Sequence, residues 1–261
     1  MRDLPLPSKK KFVVLSCEVF QREFATLADR VPHDVQFGYQ PFGLHDTPSK
    51  IAGTLQEQVD QIEDADAILI GYGLCSRGYV GLTARSIPLV APRAHDCITV
   101  FLGSRDRYTE EFNANPGTYY YSPGWVDHHD AKRSSVDGDA PQAEAAKATK
   151  YAMYVEKYGE DNAKYLLEME ASWTADYKRL AFIDTGVGDL PAYRAFVEDL
   201  AGKNEWNYEE LEGNTGLMFR FLNGEWNDDF LIVPPGHSIQ DTVDADIIRA
   251  DQLTAFGHDT G

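Results

Sequence analysis

Lys11-Phe-Val-Val-Leu-Ser-Cys17 is a short apolar run rich in β-branched residues, the pattern of a strand buried on both faces of a parallel sheet. Helical spacing follows it: Val19, Phe20, Phe24, Leu27 and Val31 fall along one face of a segment from Glu18 to about Arg30. Val35 to Phe42 reads as a second strand. A helix then opens at Pro48, with Thr47 as its cap, and runs to about Glu63. Asp66-Ala-Ile-Leu-Ile-Gly71 and Pro88-Leu-Val-Ala-Pro92 are third and fourth strands. A helix is expected from Asp96 to Asn113, and Thr118-Tyr-Tyr-Tyr121 is a fifth strand. Strand and helix alternate, which predicts an α/β fold with a mostly parallel, Rossmann-like sheet flanked by helices.

The character changes over residues 127–143, where His, Asp, Ser, Gly and Pro dominate, and this stretch reads as a linker. Two helical stretches, about 142–158 and 161–178, come next, and Leu180-Ala-Phe-Ile-Asp-Thr185 resumes the strand pattern. A helix over 189–201 and strands at Tyr208–Leu211, Met218–Leu222 and Phe230–Val233 complete a second α/β half, with an antiparallel hairpin at Asn223-Gly224. The expected organisation is a first half over 1–126, the linker, and a second half over 144–261 packed on the first. The tail after Asp244 is weakly patterned.

Composition narrows the function. The chain has 261 residues, with 24 Lys and Arg against 42 Asp and Glu, a net charge of -18. That balance argues against nucleic acid and anionic membrane surfaces, which both require a cationic face. Hydrophobic residues at 43% exclude bulk disorder. No run approaches the roughly 18 apolar residues of a membrane span, and the polar, proline-containing start Met1 to Lys11 does not read as a signal peptide. The expectation is a cytoplasmic protein. Its three cysteines, an odd number in a long chain, are then reduced rather than paired.

Those cysteines carry the strongest chemical signal. Cys17 closes the first strand, Cys75 follows the third, and Cys97 follows the fourth. In an open parallel sheet the loops at the strands' carboxyl ends share one edge, where ligands bind. Cys17 and Cys97 also precede helices, whose amino ends favour a thiolate. Cys17, Cys75 and Cys97 are therefore candidate metal ligands, with His95 as the fourth and His237 as its alternative. Such a set would close a tetrahedral zinc site or hold a [4Fe–4S] cluster with one open iron. Buried unliganded thiols and a lone nucleophile are the competing readings.

Other features are weaker. Gly71-Tyr-Gly73-Leu-Cys-Ser-Arg-Gly78 lacks the residues of a P-loop, so its glycines read as the sharp turn that presents Cys75. Arg77, Arg93 and His45 are candidates for binding an anionic substrate, or, for the arginines, salt bridges in an acid-rich chain. Thr185-Gly-Val-Gly188 reads as an anion-compatible loop. Tyr151, Tyr154, Tyr158, Tyr165, Trp173 and Tyr177 belong to helices that pack as core, cover a pocket or form a homodimer face.

Several strings resemble a bacterial and archaeal family, domain of unknown function 1638. They are Gly71-Tyr-Gly-Leu-Cys75, Pro92-Arg-Ala-His-Asp-Cys97-Ile, Gly103-Ser-Arg, Asn115-Pro-Gly-Thr-Tyr-Tyr120, Pro123-Gly-Trp125, Tyr158-Gly-Glu-Asp-Asn162 and Leu180-Ala-Phe-Ile-Asp-Thr-Gly186. The resemblance implies an association with corrinoid-dependent methyltransferases in methylamine and one-carbon metabolism, and hence a corrinoid protein or methyltransferase as partner. It makes methyl transfer to a zinc-activated thiol the leading expectation, with His95-Asp96-Cys97 as a His-x-Cys element. The chain departs from zinc methyltransferases in lacking eight βα units, and it lacks the Asp-x-His-x-x-Gly signature of corrinoid binding. An iron–sulfur enzyme and a non-catalytic accessory or metal-delivery protein are the alternatives.

Overall fold

The computed structural model describes residues 8–42, 44, 48–75, 77–128, 148, 151–156, 158–172 and 176–253. His45, the expected cap Thr47 and most of the expected linker lie outside these residues. The chain forms two compact units, residues 1–107 with 214–261, and residues 108–213. In sequence, the second lies between the two segments of the first.

The larger unit is built on a five-stranded sheet of order β2-β1-β3-β4-β8. Its strands are β1 (Lys11–Cys17), β2 (Asp34–Gln40), β3 (Ala67–Gly71), β4 (Leu89–Pro92) and β8 (Phe230–Val233). The first four are parallel, and β8 runs antiparallel along β4, with Val90 opposite Ile232. All five residues of β3 are buried, as a central strand covered on both faces requires. After β1 come a 3-10 turn (Glu18–Phe20) and α1 (Gln21–Ala28), and α2 (Pro48–Val59) opens at the expected proline.

One aromatic cluster joins Phe20, Phe24, Phe101, Phe221 and Phe230, with ring centroids 4.9 to 6.2 Å apart. Phe221 comes from a segment expected to be a strand. Residues Gly216–Leu222 instead form a helix, because Leu217, Met218, Phe221 and Leu222 repeat at helical rather than alternating spacing. Asn223 caps that helix, so no hairpin forms at Asn223-Gly224. The antiparallel hairpin is formed by β9 (His237–Asp241) and β10 (Ile248–Gln252), the latter in the weakly patterned tail.

The single helix expected over 96–113 is two, α3 (Cys97–Leu102) and α4 (Arg105–Ala114). Gly103 ends the first in the left-handed region at φ 74°. A Cβ there would lie 2.6 Å from the Asn214 carbonyl oxygen, and the Asn214 N–H donates to Phe101 O at 2.8 Å. The break is where the chain re-enters the larger unit after the insertion.

The inserted unit has a parallel sheet of β5 (Thr118–Tyr121), β6 (Arg179–Asp184) and β7 (Asn207–Glu212). Its core is Tyr121, Leu180, Phe182, Tyr193, Val197, Leu200 and Ala201, three of them on β5 and β6 and four on the helix Leu190–Lys203. Arg179, largely buried, pairs with Glu111 and Glu209. No helix among the described residues is long and apolar enough to cross a membrane.

Truncating Leu69, which is 0% exposed in β3, will cost about 2–5 kcal/mol through lost burial and a residual cavity. Leu69→Ala should lower the urea midpoint with an unchanged slope.

Candidate functional site

The strand order places a switch point in the larger unit. From β1 the chain crosses to β2 on one side, then returns past β1 to β3 on the other. In such sheets the crevice beyond the carboxyl ends of the two diverging strands is the ligand site. Cys17 is the last residue of β1, Cys75 lies in the loop after β3, and Cys97 opens α3 after β4. The three cysteines therefore follow three adjacent strands, as the sequence suggested.

The loops after β3 and β4 are bound to each other. Leu74 N–H donates to Ala94 O at 2.8 Å and Cys75 N–H to His95 O at 3.0 Å. Gly73 makes this approach possible, since a Cβ on it would lie 2.3 Å from the Asp96 carbonyl carbon. The turn then passes through two non-glycine residues with positive φ, Cys75 at 41° and Arg77 at 66°. Conformations of this kind cost free energy and persist where surrounding contacts enforce them, commonly at functional sites. Asp96 caps α3, accepting from Thr99 N at 3.0 Å, which fixes the backbone at Cys97.

The thiols are electrostatically coupled. Burial pushes Cys17 up to about 11, with a smaller lowering by the Val19 amide and a small raising by Glu18. Cys75 is partly exposed as a residue, yet its sulfur is desolvated. Desolvation, then the charges of Asp96 and Cys17, push it up to about 12, while the backbone amides of Cys97 and Gly73 pull it down. Both are neutral thiols near neutral pH.

Sequence reasoning missed two tyrosines. Tyr72, 4% exposed, and Tyr79, 0% exposed, bury hydroxyls that have no hydrogen-bond partner. Burial raises both phenols far above their usual value, and the charge of Cys75 adds to each, that of Cys17 to Tyr72 as well. Beside Tyr72 lies a cavity of about 10 Å³ with an apolar lining of Phe20, Phe24, Val100, Met218, Phe221 and their neighbours.

Other expected site residues fare differently. His95 exposes its side chain and joins the site through its carbonyl. His237 lies on β9, its Nδ1 3.2 Å from the Pro235 carbonyl. Arg93 donates to the carbonyls of Asp246 and Ile248 at 2.8 and 2.5 Å, so it anchors the β9–β10 turn. Arg77 pairs with Asp241 at 2.9 Å and keeps 67% of its side chain exposed. Among the described residues, no three His, Cys, Asp or Glu side chains are gathered closely enough to hold a metal ion. In the inserted unit, the loop expected to suit an anion borders an acidic opening of Asp184, Glu210 and Glu212. There Asp189 caps the helix Leu190–Lys203 with its own carboxylate, which accepts from Ala192 N at 3.3 Å and places a negative charge at that helix end.

Unfolded thiols titrate at their ordinary value of 9.0, so the folded state keeps protons that the unfolded chain releases above it. The stability contributed by Cys17 and Cys75 is complete below about pH 9 and is lost as pH rises toward 11 and 12. Urea midpoints of the metal-free protein across that window should fall, and more shallowly in the Cys17→Ala, Cys75→Ala double variant.

No curated protein and no solved structure matches the chain. One family does, over residues 39–222, a span that takes in the glycine turn, Cys75, His95 and Cys97 and begins after Cys17. With well over half of its length matched, the chain belongs to the family described as protein of unknown function DUF1638.

Proposed function

We propose that Cys17, Cys75 and Cys97, with His95 as fourth donor, bind one thiophilic metal centre at the switch point of the larger unit, and that this centre serves methyl (one-carbon) transfer or thiol activation. The reading is supported above all by one observation: Cys17, Cys75 and Cys97 stand at the carboxyl ends of three adjacent strands, and the loops that carry Cys75 and Cys97 are hydrogen-bonded to each other. Two neighbouring buried thiolates repel each other, and a cation is what allows both to ionise. The donor set fits soft metals, zinc first and a [4Fe–4S] cluster as the alternative. Closing it requires the exposed His95 ring and the Cys97 side chain to turn inward.

Bound there, zinc would keep the thiolates ionised and activate an incoming thiol toward a methyl donor. The chain's own residues would do the rest. Amides of Gly73 and Cys97 stabilise charge on the Cys75 sulfur. The aromatic cluster gives Tyr72 an apolar neighbourhood. Arg77, whose own side chain is mostly exposed, can exchange its partly buried partner Asp241 for an anionic substrate, since surface pairs are typically worth about 1 kcal/mol or less. Three cysteines outside any disulfide suit a reducing, cytoplasmic setting. A corrinoid protein or methyltransferase is the reaction partner that fits such chemistry.

Protein purified without oxygen should carry about one zinc per chain with no visible band. Cys17→Ser, Cys75→Ser and Cys97→Ser should each lose most of it. About four irons with sulfide and a brown colour would move the centre to a cluster. Metal-free protein that also takes up none on reconstitution would overturn the reading.

A further inference from the structure

β2 is an edge strand of the larger unit's sheet, paired with β1 on one side only. The Asp34 N–H donates inward, to Lys10 O at 2.7 Å. Backbone groups along a strand alternate in direction, so Asp34, Gln36, Gly38 and Gln40 bond to β1. The N–H and C=O groups of Val35, Phe37 and Tyr39 then point outward. Among the described residues, no hydrogen bond reaches those outward groups. Natural edge strands are guarded by lysine, proline, a bulge or brevity. Asp34-Val-Gln-Phe-Gly-Tyr-Gln40 has none of these guards, and its ladder with β1 runs unbroken over seven pairs. The side chains of Val35, Phe37 and Tyr39 share one face and are half-buried. Phe37 holds that row in place, its ring 5.9 Å from Phe24 of α1 and 5.5 Å from Tyr39 between centroids.

We propose that β2 pairs antiparallel with β2 of a second copy of this chain, about a two-fold axis at Phe37. Five strands from each copy then form one continuous sheet. The register follows from which groups point outward. With Phe37 opposite its own mate, Val35 lies opposite Tyr39, and each opposed pair exchanges both of its N–H···O bonds. A shift of one residue sets outward groups against inward ones, and a shift of two leaves Val35 or Tyr39 unpaired. The side chains agree with this register. Phe37 meets Phe37 and Val35 meets Tyr39 across the seam, and aromatic and β-branched pairs of this kind stabilise sheets. Charge selects the occupant. Two chains of net charge -18 repel each other overall, so self-association requires a patch poor in acid. β2 carries one charge, Asp34, which the axis places opposite Gln40 rather than another carboxylate. The contact uses up the edge, so association closes at two chains.

The test uses the full chain over a range of concentrations. Sedimentation should show a reversible monomer–dimer equilibrium, and hydrogen exchange followed by NMR should show which amides the dimer covers. Amides of Gln36, Gly38 and Gln40 are protected by β1 at every concentration. Those of Val35, Phe37 and Tyr39 should slow by about tenfold or more only as the dimer forms. Val35→Pro removes one outward donor from each copy and none from the β1 ladder, and should weaken association about tenfold or more. Gln36→Glu, exposed on the opposite face, keeps every donor and sets like charges about 7–8 Å apart across the axis. It should weaken association several-fold at low salt, with recovery at high salt. Should Val35→Pro lose the protection that β1 gives, the wild-type exchange pattern and Gln36→Glu decide. A chain that stays monomeric to millimolar concentration overturns the proposal. So does a dimer in which Val35, Phe37 and Tyr39 exchange as fast as in the monomer, or one that folded variants leave unweakened. Association that continues beyond two chains overturns the closed pairing as well.

Discussion

Two backbone segments, 73–75 and 94–96, run against each other at the carboxyl edge of the larger unit's sheet, and the candidate site depends on that contact. Only glycine fits at position 73, because its Cα faces the Asp96 backbone at a distance no Cβ tolerates. The two amide bonds from Leu74 and Cys75 hold the pairing, and the turn beyond must then reverse sharply. Cys75 and Arg77 take up the reversal in conformations that favour glycine. A glycine at 75 would relieve strain and remove the sulfur, so the presence of cysteine in that conformation points to the side chain rather than the turn.

The part of the fold set by strong periodicity was legible in the sequence. β1 and β3 are continuous apolar runs, and α2 opens on its proline. The placement of three cysteines after β1, β3 and β4 was legible for the same reason. Legibility failed where a short apolar run fits both periods. Leu217-Met-Phe-Arg-Phe-Leu222 has strand-like composition, but Leu217, Met218, Phe221 and Leu222 fall at helical spacing, and the resulting helix packs against α1 and the Phe24 ring. It failed again at Gly103, whose role depends on Asn214, more than a hundred residues away. The inserted unit's boundaries share that long-range origin.

The site itself was half legible. Which loops carry the sulfurs follows from strand order, but burial, charge coupling and the orphaned hydroxyls do not. Tyr72 and Tyr79 look like ordinary core aromatics by composition, and only an accounting of their hydroxyls distinguishes them. The arginines show the converse. Arg77 and Arg93 flank cysteines and invite a substrate role, yet Arg93 is committed to two carbonyls of the β9–β10 turn.

Arg105 joins them, donating to Ala245 O at 2.6 Å, so three arginines converge on the 241–248 turn. In a chain of net charge -18 this is an uneven use of cations. A turn containing Asp241, Asp244 and Asp246 would repel an acidic surface, and the arginines offset that repulsion while satisfying its carbonyls. Few of those positive charges are then left for the thiol edge, where Glu18 and Asp96 already raise the cost of ionising sulfur. The surroundings of Cys17 and Cys75 therefore favour neutral thiols. A lone nucleophilic cysteine would call for the opposite electrostatics, with a depressed thiol beside fixed positive charge. The acidity of the chain thus bears directly on which chemistry its sulfurs can support.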